Sequence, residues 1–107
     1  MSELLIGWTT CDNSDVAERL AYEMVERGLA ACVQFNDEVR SVFKLEGALQ
    51  DCSECRLMVK FPAAKLDAIN AYLRANHPYE TPEWVVVCPQ YVSEKYLKWS
   101  TGGPSEG

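Results

Sequence analysis

The stretch VRSVFKLEGALQDCSECRLMVKF, residues 39–61, decides the fold. Val39, Ser41, Phe43 and Leu45 alternate with Arg40, Val42, Lys44 and Glu46. Further on, Cys55, Leu57, Val59 and Phe61 alternate with Glu54, Arg56, Met58 and Lys60. A period of two belongs to strands, because successive side chains leave a strand on opposite faces. Gly47 marks the turn region between the runs. The pattern therefore predicts a long hairpin: a second strand that begins at Ala30 to Phe35 and continues through Leu45, then a third strand over 53–61.

Upstream, LLIGWTT (4–10) is a short apolar, partly β-branched run and predicts the first strand. CDNSD (11–15) follows, with Asn13 or Ser14 as the N-cap of a helix and Asp15 in its first turn. Val16, Ala17, Leu20, Ala21, Met24 and Val25 then share one helical face, and Gly28 suits the left-handed position after the helix. Downstream of the hairpin, Pro62 fits the first turn of a second helix, with Leu66, Ile69 and Leu73 as its apolar stripe and Tyr72 beside it. Asn76-His77-Pro78 stops that helix, since the residue before proline is pushed out of helical geometry. Residues 84–88 predict a fourth strand, and Ser93 caps a short last helix carrying Tyr96 and Trp99. The order β-α-β-β-α-β-α predicts an α+β, ferredoxin-like βαββαβ fold: an antiparallel sheet with two helices on one face and a short C-terminal helix added. One domain over 1–100 and a flexible tail over 101–107 are expected.

Charge and composition narrow the function. The 107 residues carry a net charge of −6 and no basic stripe, so neither a nucleic acid nor an anionic membrane surface is an expected partner. No apolar run approaches the ~20 residues of a membrane span, and MSELLIGWTT lacks the basic region of a signal peptide. A cytoplasmic location is expected. The five cysteines, Cys11, Cys32, Cys52, Cys55 and Cys88, then read as reduced thiols, and their odd number fits no closed disulfide framework. With one histidine, no nucleophile elbow, no phosphate loop and no paired acidic motif, no catalytic role is expected.

Three motifs carry chemistry. Cys52-Ser53-Glu54-Cys55 is a CxxC without the second ligand pair that a zinc site needs. It lies at the start of a strand, not at the helix N-terminus that would lower a thiol pKa, so it reads first as two unlinked, dispensable thiols. TTCDNSD (9–15) is either a helix-capping loop or an exposed soft thiolate, Cys11, flanked by hydroxyls and Asp12 and suited to copper. HPYETPEW (77–84) holds imidazole, phenol and carboxylates between two prolines; it is either a rigid connector or a preorganised ligand segment.

These segments together resemble the CutA family of divalent cation tolerance proteins. The resemblance is carried by Thr9-Thr10-Cys11, by Gly28-Leu29-Ala30-Ala31-Cys32-Val33, and by Ser41, Phe43, Leu45, Glu46 and Gly47 in the hairpin. His77-Pro78-Tyr79-Glu80-Thr81-Pro82-Glu83 and Tyr96-Leu97-Lys98-Trp99 continue it over nearly the whole chain. It implies a ferredoxin-like subunit in a homotrimer whose hairpins pair across subunits, and a link to copper or other divalent cations. Cys11, His77 and Glu80 are then the expected metal ligands. Arg40, Phe43, Lys60, Tyr79 and Trp99 are expected around an intersubunit cleft, which a PII-like small-ligand sensor would also use. A stable trimeric scaffold for an unidentified protein partner is the remaining alternative. The sequence departs from the family pattern where Phe43 and Leu45 replace Tyr and Trp, Asp37-Glu38 replaces Pro-Gly, and Asp12 replaces Pro.

Overall fold

The computed structural model describes residues 3–102. Its elements are β1 (Leu4–Cys11), α1 (Ser14–Glu26), β2 (Cys32–Leu45), β3 (Ala48–Pro62), a 3-10 turn (Ala63–Lys65), α2 (Leu66–Asn76), β4 (Val85–Val87) and α3 (Glu94–Ser100). The strands form one sheet in the order β2-β3-β1-β4, each neighbouring pair antiparallel. This is the arrangement that the alternating patterns predict. The tail beyond Gly102 lies outside the described residues.

The register sets the core. β1 runs against β3 with Leu5 opposite Phe61, Gly7 opposite Val59, Thr9 opposite Leu57 and Cys11 opposite Cys55. That face meets Ala17, Leu20, Ala21 and Met24 of α1 and Ile69, Tyr72 and Leu73 of α2 in one buried cluster. Full burial of a large apolar side chain is worth about 1.5–3 kcal/mol, so this face is where the fold's stability is concentrated. Asn13 starts α1 by accepting the Val16 amide on its side chain at 2.9 Å. Gly28 ends it with φ +73, a left-handed turn that lets the Leu29 amide reach the Met24 carbonyl at 2.9 Å. The helices are joined by Tyr72, whose hydroxyl donates to Glu23 at 2.6 Å, and by Arg19, which donates to the Asn76 carbonyl at 3.2 Å.

Several boundaries differ from the sequence reading, each for a local reason. β1 extends through Cys11, because its pairing with Cys55 continues the ladder. β3 begins at Ala48, not at 53, because the turn contains only Glu46 and Gly47: Leu45 pairs with Ala48, and both turn residues have positive φ, 52° and 83°. That is the type I′ geometry that matches the natural twist of a hairpin. β2 starts at Cys32. Pro62 closes β3 with φ −64 and ψ 140, and the 3-10 turn intervenes before α2 starts at Leu66. β4 is reduced to three residues, Ser93 stands at the start of α3 without a side-chain capping bond, and Val25 is exposed.

Beyond Asn36 and Glu54 the hairpin projects as an arm, giving a molecule of 47 × 27 × 24 Å. Between Asn36, opposite Arg56, and Val39, opposite Glu54, β2 bulges: Asp37 and Glu38 together face Cys55. Glu38 has φ +62, a conformation that costs a non-glycine residue energy and that glycine adopts freely. The arm leaves Val42, Phe43, Leu45 and Leu49 exposed.

Gly7 is the tightest point of the sheet. A Cβ there would stand 2.4 Å from the Trp84 ring, and Trp84 itself stacks on Phe61 with centroids 6.1 Å apart. Gly7→Ala should therefore cost about 1–3 kcal/mol through overpacking. Urea unfolding followed by tryptophan fluorescence checks this; an unchanged midpoint would mean that Trp84 yields without cost.

Candidate functional site

Cys11, the last residue of β1, is fully buried. Its thiol donates to the Asn13 carbonyl at 3.5 Å, within the turn that opens α1. Burial pushes its pKa up, against the lowering effect of that bond, and Asp12, Glu54 and Asp37 push the same way as burial. It is thus an interior thiol and not the exposed loop thiolate expected from the sequence, because the strand runs one residue further than its apolar pattern. Directly across the ladder Cys55 is also buried, and its thiol donates to the Asp37 carboxylate at 3.1 Å. Burial, followed by that bond, pushes its pKa up to about 12.

His77 takes its place from the end of α2. Its amide donates to the Leu73 carbonyl at 2.9 Å, and its backbone, with φ −75 and ψ 133, is already extended ahead of Pro78. The ring turns inward against β1. Nε2–H donates to the Thr10 carbonyl at 2.8 Å, and Nδ1 accepts the Tyr79 amide at 3.1 Å. Both nitrogens are engaged as in a neutral imidazole, and burial lowers the pKa, against the Thr10 carbonyl, Asp12 and Glu54. Tyr79 sets its ring against His77, centroids 5.0 Å apart, and its hydroxyl donates to Glu54 at 3.0 Å. Burial first, then the Glu54 carboxylate, raises the phenol pKa.

A cleft of ≈ 620 Å³ opens between this segment and the arm. It is lined by Ser41, Phe43, Leu45 and Glu54 of the hairpin, by Thr10 of β1, and by Tyr79, Thr81 and Glu83. Of the residues expected around an intersubunit cleft, Phe43 and Tyr79 line this cleft of the single chain. Arg40 instead pairs with Asp51 along the arm at 2.6 Å, Lys60 sits over the Tyr96 ring at 5.6 Å, and Trp99 lines a separate hollow with Pro62 and Lys65. Glu80 is exposed beside Arg74 and Trp84 in another hollow of ≈ 250 Å³. Within one chain, then, Cys11, His77 and Tyr79 are gathered at one end of the sheet and Glu80 is apart. Among the described residues no three of His, Cys, Asp and Glu form a group able to hold a metal ion. Sequence reasoning did not single out Glu54 or Asp37. The signal for Asp37 was its place where the related pattern has Pro-Gly, the composition of a bulge.

Residues 5–102 match the family described as CutA1 divalent ion tolerance protein. The chain belongs to that family. A CutA homologue of Xenopus laevis is 36% identical over 96 residues, covering 90% of this chain and 64% of the relative. The divalent-cation tolerance protein CutA of Pectobacterium atrosepticum is 34% identical over 90 residues, covering 84% of this chain and 82% of the relative. The solved CutA structure of Synechococcus elongatus superposes with a TM-score of 0.89 at 33% identity, over 94% of this chain and 88% of that one. The chain spans half to two thirds of the length of the animal and plant relatives that it matches. No helix of the described residues is long and apolar enough to cross a membrane.

His77 gives the CutA fold a pH dependence of definite sign. Its folded pKa lies below its unfolded value of ~6.5, so the unfolded chain binds more protons as acid is added. The stabilisation it brings is complete above pH ~6.5 and is lost as the pH falls from there toward the folded pKa. Denaturant midpoints measured between neutral pH and pH 5 should fall more steeply for the wild type than for His77→Gln. Parallel profiles would show that the ring titrates normally.

Proposed function

We propose that the chain is a cytosolic homotrimer that binds copper or another thiophilic divalent cation, with Cys11 as thiolate ligand and His77 and Glu80 as further donors. The observation that carries this reading is the partial donor set beside the uncovered arm. His77 bonds to the Thr10 carbonyl next to Cys11, no group of three metal-binding side chains forms among the described residues, and Val42, Phe43, Leu45 and Leu49 stay exposed on strands with free edges. Pairing arms between copies would cover those edges and bring a second chain's donors to the cleft. The five free cysteines suit a reducing compartment. Membership of a divalent ion tolerance family supports the cation class.

A sensor of small anions is less well supported. The cleft presents Glu54 and Glu83, which repel an anion, and Arg40 is already held by Asp51 at 3.2 and 2.6 Å.

Sedimentation at micromolar concentration should give three times the 12.0 kDa chain mass; a monomer overturns the trimer and any site shared between copies. Calorimetric titration with copper should show saturable binding that Cys11→Ser weakens by about 100-fold, the order of effect known for damaged metal sites, and that His77→Ala and Glu80→Gln also weaken. A trimer that binds no copper would point instead to a scaffold.

A further inference from the structure

We infer that Cys55 is the partner of Cys11 in a buried, two-coordinate site for a soft d10 cation of the Cu(I) class. The inference rests on the reading of Cys11 as a metal ligand and, for the monovalent soft ion, puts Cys55 of the same chain in the place of His77 and Glu80. The first support is register: Cys11 and Cys55 stand directly opposite on β1 and β3, both buried, both on the face covered by the helices. The second is spacing. Ala63 donates its amide to the Glu3 carbonyl at 2.7 Å, one step before the Leu4–Pro62 pair, which makes that a hydrogen-bonded pair of the ladder. Alternation then makes Cys11 and Cys55 a hydrogen-bonded pair too, with Cα atoms ~5.5 Å apart. Their Cβ atoms stand wider than the ~3.8 Å of a disulfide. Sulfurs bridged by one ion lie up to twice a ~2.3 Å metal–thiolate bond apart, a separation that these strands supply without bending. Two thiolates also select Cu(I) over harder cations.

The surroundings fit. Thr9, two residues before Cys11 on the same face, is fully buried and its hydroxyl has no hydrogen-bond partner, so that face carries an unsatisfied polar atom of the kind a native core rarely leaves. The Asp37 carboxylate already accepts the Cys55 thiol proton in a hydrogen bond, and Asp37 is exposed on the bulge. Binding one Cu(I) forms two Cu–S bonds and breaks two S–H bonds. The Cys55 proton leaves along Asp37, the Cys11 proton to solvent, and no electron is transferred because the ion enters already reduced. Asn36, Asp37 and Glu38 of the bulge opposite Cys55 are all exposed.

The test is anaerobic titration of the reduced full chain with Cu(I) against a chromophoric chelator, together with X-ray absorption at the copper edge of the loaded wild type. One ion per chain, a copper shell of two sulfurs, and about 100-fold weaker binding in both Cys11→Ser and Cys55→Ser, with Cys52→Ser and Cys88→Ser unchanged, support the site. One sulfur with nitrogen or oxygen in the shell, or full affinity in Cys55→Ser, overturns it while leaving Cys11 as a ligand. No Cu(I) or Cu(II) binding by the wild type overturns both this site and the metal-binding reading. The absorption measurement needs no variant, so a Cys55→Ser chain that fails to fold does not shield the inference.

Discussion

The register of β1 against β3 is the constraint on which the rest of the molecule depends. It aligns Leu5, Gly7, Thr9 and Cys11 with Phe61, Val59, Leu57 and Cys55, and α1 and α2 close over that face. A slip of one residue would turn the apolar set of either strand to the wrong side. Gly7 shows how closely the register is specified. The Trp84 ring occupies the space of its missing side chain, and the Trp84 indole donates to Asn70 at 2.8 Å. The end of HPYETPEW is thereby tied to both the sheet and α2, while its beginning is tied to Thr10 through His77. The motif is fastened at both ends to elements that the register has already placed.

The arm follows different physics from the body. Its ladder continues unbroken from Val39–Glu54 to Leu45–Ala48, but no helix covers it. Backbone pairing and the Arg40–Asp51 pair hold its shape. An exposed ion pair of this kind is worth at most ~1 kcal/mol, which does not offset apolar side chains left in water. The hydrophobic effect therefore favours a covering surface for Phe43, Leu45 and Leu49. The bulge at Asp37-Glu38 is where arm and body join. It bends the strand at the cost of a left-handed Glu38 and in return brings a carboxylate onto the Cys55 thiol.

Elements were legible in the sequence wherever a period persisted. The alternation of 55–61 and the helical face of α1 carried strand, helix and buried side together, Val25 excepted, and Asn13, one of two candidate caps, and Gly28 mark the ends of α1. Ends set by tertiary pairing were not legible. Cys11 belongs to β1 only because Cys55 lies opposite it, and nothing local to TTCDNSD says so. Glu46-Gly47 carries the turn in two residues because the strands on either side pair to its edge, whereas the local signal was a single glycine. In the candidate site, HPYETPEW could be read as ligand or connector because sequence does not say where a ring points. The structure engages both nitrogens of His77, with Thr10 and Tyr79, which fills the connector role; a metal on either nitrogen displaces one of these bonds. The CxxC of Cys52 and Cys55 reads as unlinked thiols because it has no second ligand pair and opens a strand, while the cross-strand neighbour of Cys55, Cys11, stands 44 positions earlier.

The resting electrostatics also bear on which ion such a site can hold. Cys11 and Cys55 are protonated in the folded chain, raised by burial and, for Cys55, by a carboxylate that accepts its proton. An incoming cation must displace protons from thiols whose pKa is raised, that of Cys55 to about 12, and strong, largely covalent metal–sulfur bonds are what do that at neutral pH. Mg²⁺ and Ca²⁺, which take oxygen ligands, gain nothing from these thiols. The carboxylates of Glu54 and Glu83 line the cleft instead, where Tyr79 already donates to Glu54. The fold thus separates two side-chain classes: thiols buried on the helix-covered face, and the carboxylates of Glu54 and Glu83 at the open cleft. The pairing of Cys11 with Cys55 across two strands is set by the ladder register, which no ordering of residues along the chain makes evident.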